Sequence, residues 1–144
     1  AQAELRRIPP TGVPPAVFWH ALVRIVEPYH WGPQSQQGRM QWEKRWATVM
    51  SGMARLRHDP ANQPGRVLGD AGYHELRFRR LLRATEERLA DELLAATRFL
   101  ASKGASVDWR EFARLVHYDP EQTPEWAEKV RRRLARDYFG AGTQ

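Results

Sequence analysis

Histidine and carboxylate side chains are the groups in this 144-residue chain that could act in acid–base catalysis or bind a metal ion. The histidines are His20, His30, His58, His74 and His117. None of them stands at a metal-ligand spacing from another histidine, or from a carboxylate in a known motif. The segments at 58–60 and 117–120 both contain a histidine followed by Asp-Pro, but Asp-Pro marks turns and helix ends. These patterns favour structural roles for the histidines.

Other catalytic motifs are missing from the sequence. The chain has no cysteine, which excludes disulfides, thiolate metal sites and cysteine nucleophiles. It has no phosphate-cradling glycine loop, no nucleophile elbow and no carboxylate cluster for two-metal catalysis. Glu86 and Glu87 fall in the first turn of a predicted helix, where negative charge complements the helix dipole. We therefore expect no enzymatic activity, no cofactor and no metal. Two binding roles, described below, are the first two hypotheses for the function, and a nuclease is the third.

Arginine is the residue type whose abundance indicates a partner. The chain has 23 basic and 17 acidic residues, a net charge of +6 and a sequence pI near 10.3. Twenty of the basic residues are arginine and three are lysine. Because the planar guanidinium suits phosphate oxygens, this excess favours a polyanionic partner. A GC-rich coding sequence would also favour arginine over lysine, although it would not produce the net charge.

Helices must position these arginines, because apolar residues recur at helical spacing and no alternating strand pattern occurs. Capping residues, glycines and prolines predict where each helix begins and ends. The predicted helices cover 16–27, 37–57, 67–71, 74–84, 85–103, 108–117 and 123–139. The sequence thus predicts an all-α fold, a two-lobed helical bundle of about seven helices. A proline-containing linker at 58–65 divides it into an N-terminal helical lobe (1–62) and a C-terminal helical bundle (63–144).

The predicted helix at 74–84 separates apolar from cationic residues. On a helical wheel, its buried face consists of Phe78, Leu81 and Leu82. The opposite side holds Arg79, Arg80 and Arg83, with Arg77 on its flank. No acidic residue lies between 76 and 83. This pattern predicts a surface that contacts nucleic-acid phosphates, although a simple solvated face is the alternative reading of any such helix.

The last predicted helix repeats the arrangement. Its inward-facing residues are predicted to be Trp126, Val130, Leu134 and Tyr138, and its outward-facing ones Lys129, Arg132 and Arg136. Two arginine faces without compensating acids on one small protein favour phosphate contacts. By contrast, the helix at 85–103 carries four acidic residues, and its Arg98 lies away from the core stripe.

The aromatic residues have two possible roles, base stacking and core packing. Helical spacing favours the core for Trp42, Trp46, Trp109 and Trp126. One buried stripe is predicted from the recurrence of Trp42, Trp46, Val49, Met53 and Leu56 at steps of four and three. The positions of Trp19 and Trp31 are left open.

No segment has the pattern of a membrane span or a secretory signal. The sequence begins at Ala1, shows no charged n-region followed by an apolar h-region, and lacks an apolar run of about 18 residues. We expect a cytoplasmic protein without a membrane partner.

Several collinear segments resemble the CasB family, the small subunit of the type I-E CRISPR effector Cascade. They are ELRRIP, followed by ALVRIVEP, and Trp31 in the next turn; then WATVMSGMARL, GRVLGDAG, ELRFRRLLRA and TRFLASKGASVDWREFARLV. Each is weak alone, but together they extend in order from about residue 4 to 139. The proline run at 9–15 and the linker at 58–65 depart from the family pattern. A helix that family members usually carry before ELRRIP is expected to be absent from the N-terminal lobe.

This resemblance implies a non-catalytic Cascade subunit in antiviral defence. Its partners would be other Cascade subunits, a second copy of itself, and the R-loop of CRISPR RNA and target DNA with its displaced single strand. Base pairing would read the sequence while the protein grips the backbones. The family's basic positions match Arg24, Arg45, Arg66, Arg77 and Arg98, and more loosely Arg39.

The complete set of predicted nucleic-acid-binding residues joins these positions to the two helical faces. It consists of Arg24, Arg39, Arg45, Arg66, Arg77, Arg79, Arg80, Arg83, Arg98, Arg132 and Arg136. The alternative function is an arginine-rich helical protein-interaction module that does not bind nucleic acid directly.

Overall fold

A computed structural model of the chain describes residues 3, 6, 16–21, 24 and 35–141. Within them the chain forms seven helices and two short strands. In chain order these are α1 (Ala16–Ala21), α2 (Gln36–Met53), β1 (Arg57–His58), α3 (Pro64–Asp70), α4 (Glu75–Arg83), α5 (Glu86–Ser102), β2 (Ser106–Val107), α6 (Trp109–His117) and α7 (Pro124–Gly140). The prediction of an all-α helical bundle is confirmed. The proline run at 9–15 and Trp31 lie outside the described residues.

Helix α2 ends earlier than predicted, because the chain forms a short strand at the end of the predicted helix instead. The helix begins where Ser35 Oγ accepts a hydrogen bond from the Gly38 amide at 3.1 Å, and it stops at Met53 instead of residue 57. Residues 57 and 58 instead pair in parallel with 106 and 107. Each strand has only two residues, too few for an alternating pattern to predict it.

Glycines end two helices as predicted. Gly72 follows α3 with φ +79°, and Gly104 follows α5 with φ +68°. Both values lie in the left-handed region that a residue without Cβ adopts at little cost. The glycines therefore let the chain turn sharply into α4 and β2.

Thr85, Asp108 and Thr123 stand at the first positions of predicted helices and are the N-caps of the observed ones, but they do not all make capping bonds. Asp108 Oδ1 accepts from the Arg110 amide at 3.0 Å at the start of α6. Thr85 and Thr123 precede α5 and α7 without a side-chain capping bond. Thr123 Oγ1 donates instead to the Asp119 carbonyl at 3.1 Å. Local sequence therefore predicts where these helices begin better than it predicts their capping bonds.

The main hydrophobic core joins residues from both sides of the predicted linker. Val49 and Leu56, which precede it, pack in the same cluster as Leu68, Phe78 and Leu134, which follow it. A smaller cluster at the α1–α2 side contains Trp42 and Ala47, with Trp19 packed against it. The lobe division at 62/63 stays a prediction. No helix of the described residues is long and apolar enough to span a membrane.

Two apolar residues predicted for the core are instead on the surface. Trp42 and Trp109 are buried and Trp46 packs partly against the core, as predicted. Trp126 is 55% exposed and Met53 45% exposed, so their assignments to the core are wrong. Met53 is the last residue of α2 and Trp126 lies in the first turns of α7; at such ends a helical stripe extends beyond the elements that could cover it.

The GRVLG segment brings α3 close to α7. A Cβ on Gly65 would overlap with the Leu134 carbonyl oxygen, and one on Gly69 would approach the Tyr138 carbonyl at 2.6 Å. These glycines are four residues apart and so share one face of α3. Close packing along this face leaves Arg66, which lies between them in sequence, exposed.

Candidate nucleic-acid interface

The cationic face of α4 lies as the helical wheel predicts. Phe78 and Leu81 are fully buried, and all four predicted arginines of the helix are exposed. The four are Arg77, Arg79, Arg80 and Arg83. One is partly compensated, since Arg79 Nη2 lies 2.9 Å from Glu75 Oε2 in an i,i+4 pair. Within the described chain, Arg80 and Arg83 form no ion pair.

Arg77 lies beside a buried tyrosine. Burial raises the pKa of Tyr73, and the nearby Arg77 guanidinium opposes that rise. The Tyr73 ring contacts Phe99 with the ring centroids 5.1 Å apart. Phe99 directly follows Arg98 in the sequence of α5.

Three arginines gather near the end of α2. Burial lowers the pKa of Arg55, and the charges of Arg98 and Arg6 lower it further. Arg55 Nη2 donates to the Arg6 carbonyl, and Arg6 Nε donates to the Ala54 carbonyl at 2.6 Å. Arg55 Nε is buried without a hydrogen-bond partner. Among the described residues, neither Arg55 nor Arg98 is in an ion pair, so these like charges lie near each other and near that of Arg6.

The sequence reasoning missed two of these three residues. Arg6 lies in the ELRRIP segment, which contributed only to the family resemblance. Arg55 lies between Met53 and Leu56 of the predicted buried stripe, and the predicted helix included it, whereas α2 ends before it. The doubled arginine of ELRRIP was the available signal for Arg6, whereas Arg55 could be found only once the end of α2 was known.

Arg45 stands apart from the exposed arginines because acids surround it. Its side chain is 12% exposed, and Nη2 lies 2.5 Å from Glu86 Oε1 and 3.7 Å from Asp119 Oδ2. These contacts join α2 to the start of α5 and to the turn before α7. Arg45 therefore stabilises the fold at this junction, and would have to exchange partners to contact a phosphate.

The remaining predicted residues are Arg24 and four arginines on three helices, α2, α3 and α7. Arg24 is exposed. Arg39 lies over the Trp42 ring at 5.3 Å and pairs with Glu43 at 3.6 Å. Arg66 pairs with Asp70 at 3.7 Å, and Arg132 with Glu128 at 2.8 Å. Arg136 is exposed, and is in no ion pair of the described chain. The two faces predicted to lack acids thus each contain one i,i+4 pair, but retain unpaired arginines.

The histidines and acids do not form a catalytic arrangement among the described residues. His58 Nδ1 accepts a hydrogen bond from the Trp109 amide at 3.1 Å, and the His117 ring contacts the Trp46 ring at 4.6 Å. No group of three potential metal ligands comes together in the part of the chain that the structure covers. The arrangement is suited to holding anions through exposed guanidinium groups.

The family is decided by comparison with known proteins. A sequence model of the family described as CRISPR-associated protein Cse2 matches residues 1–139. This chain belongs to the Cse2/CasB family. It is therefore a subunit of the CRISPR Cascade complex and associates with other Cascade subunits, and family members are generally non-catalytic.

A solved structure agrees with this membership at the level of the fold. The crystal structure of CasB from Thermus thermophilus matches with a TM-score of 0.64 and 24% sequence identity, over 97% of this chain and 85% of that one. A comparison with curated protein sequences finds no match. The resemblance to the CasB family, which rests on sequence segments that occur in the same order along the chain, is thus confirmed.

Proposed function

We propose that this Cascade subunit grips nucleic-acid backbones through its exposed arginines and thereby stabilises the RNA-guided R-loop in antiviral defence. It acts without catalysis, in the cytoplasm and beside a second copy of itself in the complex. Its ligands are the CRISPR RNA–target DNA R-loop and the displaced single strand. Sequence is read by base pairing, so the protein needs only backbone contacts.

The arginine cluster at the end of α2 carries this proposal. Bringing Arg6, Arg55 and Arg98 together costs electrostatic free energy, since like charges repel and no carboxylate of the described residues pairs with Arg55 or Arg98. A bound phosphate would relieve that repulsion and could accept a hydrogen bond from any of the three guanidinium groups. The exposed arginines of α4 extend the cationic surface, while Arg45 contributes by holding α2 and α5 together.

The proposal is tested by measuring DNA affinity as a function of salt. Each phosphate contact contributes about 0.7 to the slope of log K against log salt for single strands and about 0.9 for duplex. The double variant Arg77→Ala/Arg98→Ala should lose affinity and flatten this slope by about two contacts. Arg88→Ala removes another exposed arginine from the same helix as Arg98, and its slope should equal that of the wild type.

Four results would contradict the proposal. An unchanged slope in the double variant would remove both arginines from the interface, and a strong preference for one DNA sequence would exclude backbone gripping. A wild-type protein that binds no DNA even at low salt, yet assembles into Cascade, would support the alternative of a protein-interaction module. Cleavage of labelled DNA in the presence of a divalent metal would indicate a nuclease.

A further inference from the structure

Trp126 is a large aromatic side chain on the outer surface of α7. Its exposed fraction is 55%, while the adjacent Ala127 is buried. The Trp126 ring has Tyr118 on one side, with the ring centroids 6.1 Å apart at 39°, and Lys129 Nζ 5.4 Å from its centroid. The indole therefore packs on one tyrosine and one lysine and leaves half of its surface to solvent.

Trp126 begins a stripe of exposed residues along α7. Lys129, Arg133 and Arg136 follow it at i+3, i+7 and i+10, which places all four on one helical line. A rise of 1.5 Å per residue separates successive members by about 4.5 to 6 Å along the axis. The three cations are exposed. The stripe is thus an aromatic ring followed by a row of three positive charges.

Acidic residues compensate this row only weakly. Arg133 Nε lies 3.9 Å from Glu111 Oε1, and its own side chain remains 61% exposed. Glu128 is engaged by Arg132 at 2.8 Å, off the line of the stripe. In the described part of the chain, no carboxylate forms an ion pair with Lys129 or Arg136. The cations of the stripe are therefore available to an anionic ligand.

The chemistry of the stripe matches single-stranded nucleic acid. An exposed aromatic ring offers a stacking surface to a base of any type, and a neighbouring row of cations follows the phosphates. A duplex fits less well because its bases are already stacked on one another. Lys129, which covers part of the indole, can turn to a phosphate when a base replaces it on the ring.

We propose that the stripe of Trp126, Lys129, Arg133 and Arg136 is a binding site for single-stranded nucleic acid, with an unpaired base stacked on Trp126. The three cations contact the phosphates beside that base. This inference rests on the proposed function, since it assumes that the protein binds nucleic acid, and adds the place on α7 where a single strand is held and the residue that stacks on its base.

The test compares three probes on the full chain: a fluorescein-labelled oligothymidylate, an abasic strand of equal length, and a duplex of equal length. Trp126→Ala should weaken oligothymidylate binding about tenfold, while its affinities for the abasic strand and the duplex stay those of the wild type. The salt slope should not change, because no charge is removed. Trp126→Phe should retain most of the affinity.

Phe139→Ala serves as the matched control, since Phe139 is another exposed aromatic of α7 (47%) that lies off the stripe. It should bind all three probes like the wild type. An equal loss for the oligothymidylate and the abasic strand in Trp126→Ala would overturn base stacking. Unchanged binding in Trp126→Ala, together with weakened binding in Arg77→Ala/Arg98→Ala, would overturn this inference and leave the proposed function standing. A wild type that binds none of the probes would overturn both.

Discussion

The six-membered ring of Trp109 lies directly on the Cα of Gly52, so that α2 and α6 meet through a residue without a side chain. A Cβ on Gly52 would overlap with Cη2 of Trp109. The indole is 2% exposed, and its Nε1 donates to the Leu56 carbonyl at 2.8 Å. The ring is therefore fixed on two sides, by helix packing and by a hydrogen bond to the chain that follows α2.

Gly52→Ala should consequently destabilise the protein. The ring cannot move away without breaking its hydrogen bond, so the added methyl group overpacks the core and should lower the free energy of unfolding by about 1–3 kcal/mol. Urea denaturation measures this change. Gly140→Ala is the control, because a Cβ there meets no atom within 4 Å, and it should be neutral or slightly stabilising. Equal stability of Gly52→Ala and the wild type would show that the ring is free to shift.

Arg45→Ala should also lower the free energy of unfolding, by about 1.5–3 kcal/mol, since it removes the hydrogen bond to Glu86 and the ion pair with Asp119 from a side chain that is only 12% exposed. Arg80→Ala, which removes an exposed arginine, should change stability by less than about 0.5 kcal/mol. Thermal or urea denaturation compares the two. If Arg45→Ala instead keeps its stability and flattens the salt slope of DNA binding, Arg45 is a phosphate contact and its acidic neighbours are incidental.

The exposed arginines of α4 were predictable from the sequence, whereas the cluster at the end of α2 was not. Within α4, residues that face the core and the solvent follow from helical periodicity alone, and Phe78 and Arg80 lie as predicted. The position of Arg55 depends on where α2 ends. That end is set by the pairing of residues 57–58 with 106–107, a contact between distant segments that no local pattern records.

Helical periodicity also predicts burial wrongly where no neighbouring element covers a helix face. Trp126 has the spacing of a core residue on α7, yet it is 55% exposed, with Tyr118 and Lys129 beside its ring. Likewise, Glu111 has the spacing of a capping-box partner for Asp108, but its carboxylate is buried without a hydrogen bond. In both cases the environment is decided by the packing of α6 and α7, which the sequence of either helix alone does not specify.

Arg131 ties α7 to the end of α4, and its removal should be costly. Its Nε donates to the Leu82 carbonyl at 2.9 Å and its Nη2 to the Ala84 carbonyl at 3.3 Å. Arg131→Ala leaves these half-buried carbonyls without a partner and should lower the free energy of unfolding by about 1–3 kcal/mol. Its neighbour Arg132 has a highly exposed side chain in an i,i+4 pair, so Arg132→Ala should cost no more than about 0.5 kcal/mol. Urea denaturation measures both changes. If the two variants lower the free energy of unfolding by similar amounts, the contacts of Arg131 with the two carbonyls do not stabilise the fold.

Glu111 should make stability depend on pH in a direction opposite to that of a paired carboxylate. Both of its carboxylate oxygens are buried without a hydrogen bond. Burial raises the pKa of Glu111, with Arg133 opposing the rise and Asp137 adding to it. Its pKa in the unfolded chain is about 4.3. The folded protein thus binds the proton more tightly, and the resulting stability is fully present below the unfolded pKa and is lost as the pH rises through the folded pKa.

Glu111→Gln removes this titration, because the amide stays neutral at every pH. The free energy of unfolding of the variant, relative to the wild type, should therefore increase as the pH is raised above about 4.3, and level off once Glu111 is ionised in the folded wild type. Urea denaturation of both proteins between about pH 4 and 8 measures the difference. Glu125→Gln controls for the loss of one negative charge from an exposed position on the same basic protein. A difference in the free energy of unfolding between Glu111→Gln and the wild type that does not vary with pH would contradict this prediction. It would mean that Glu111 ionises in the folded protein as readily as in the unfolded chain, in spite of its burial.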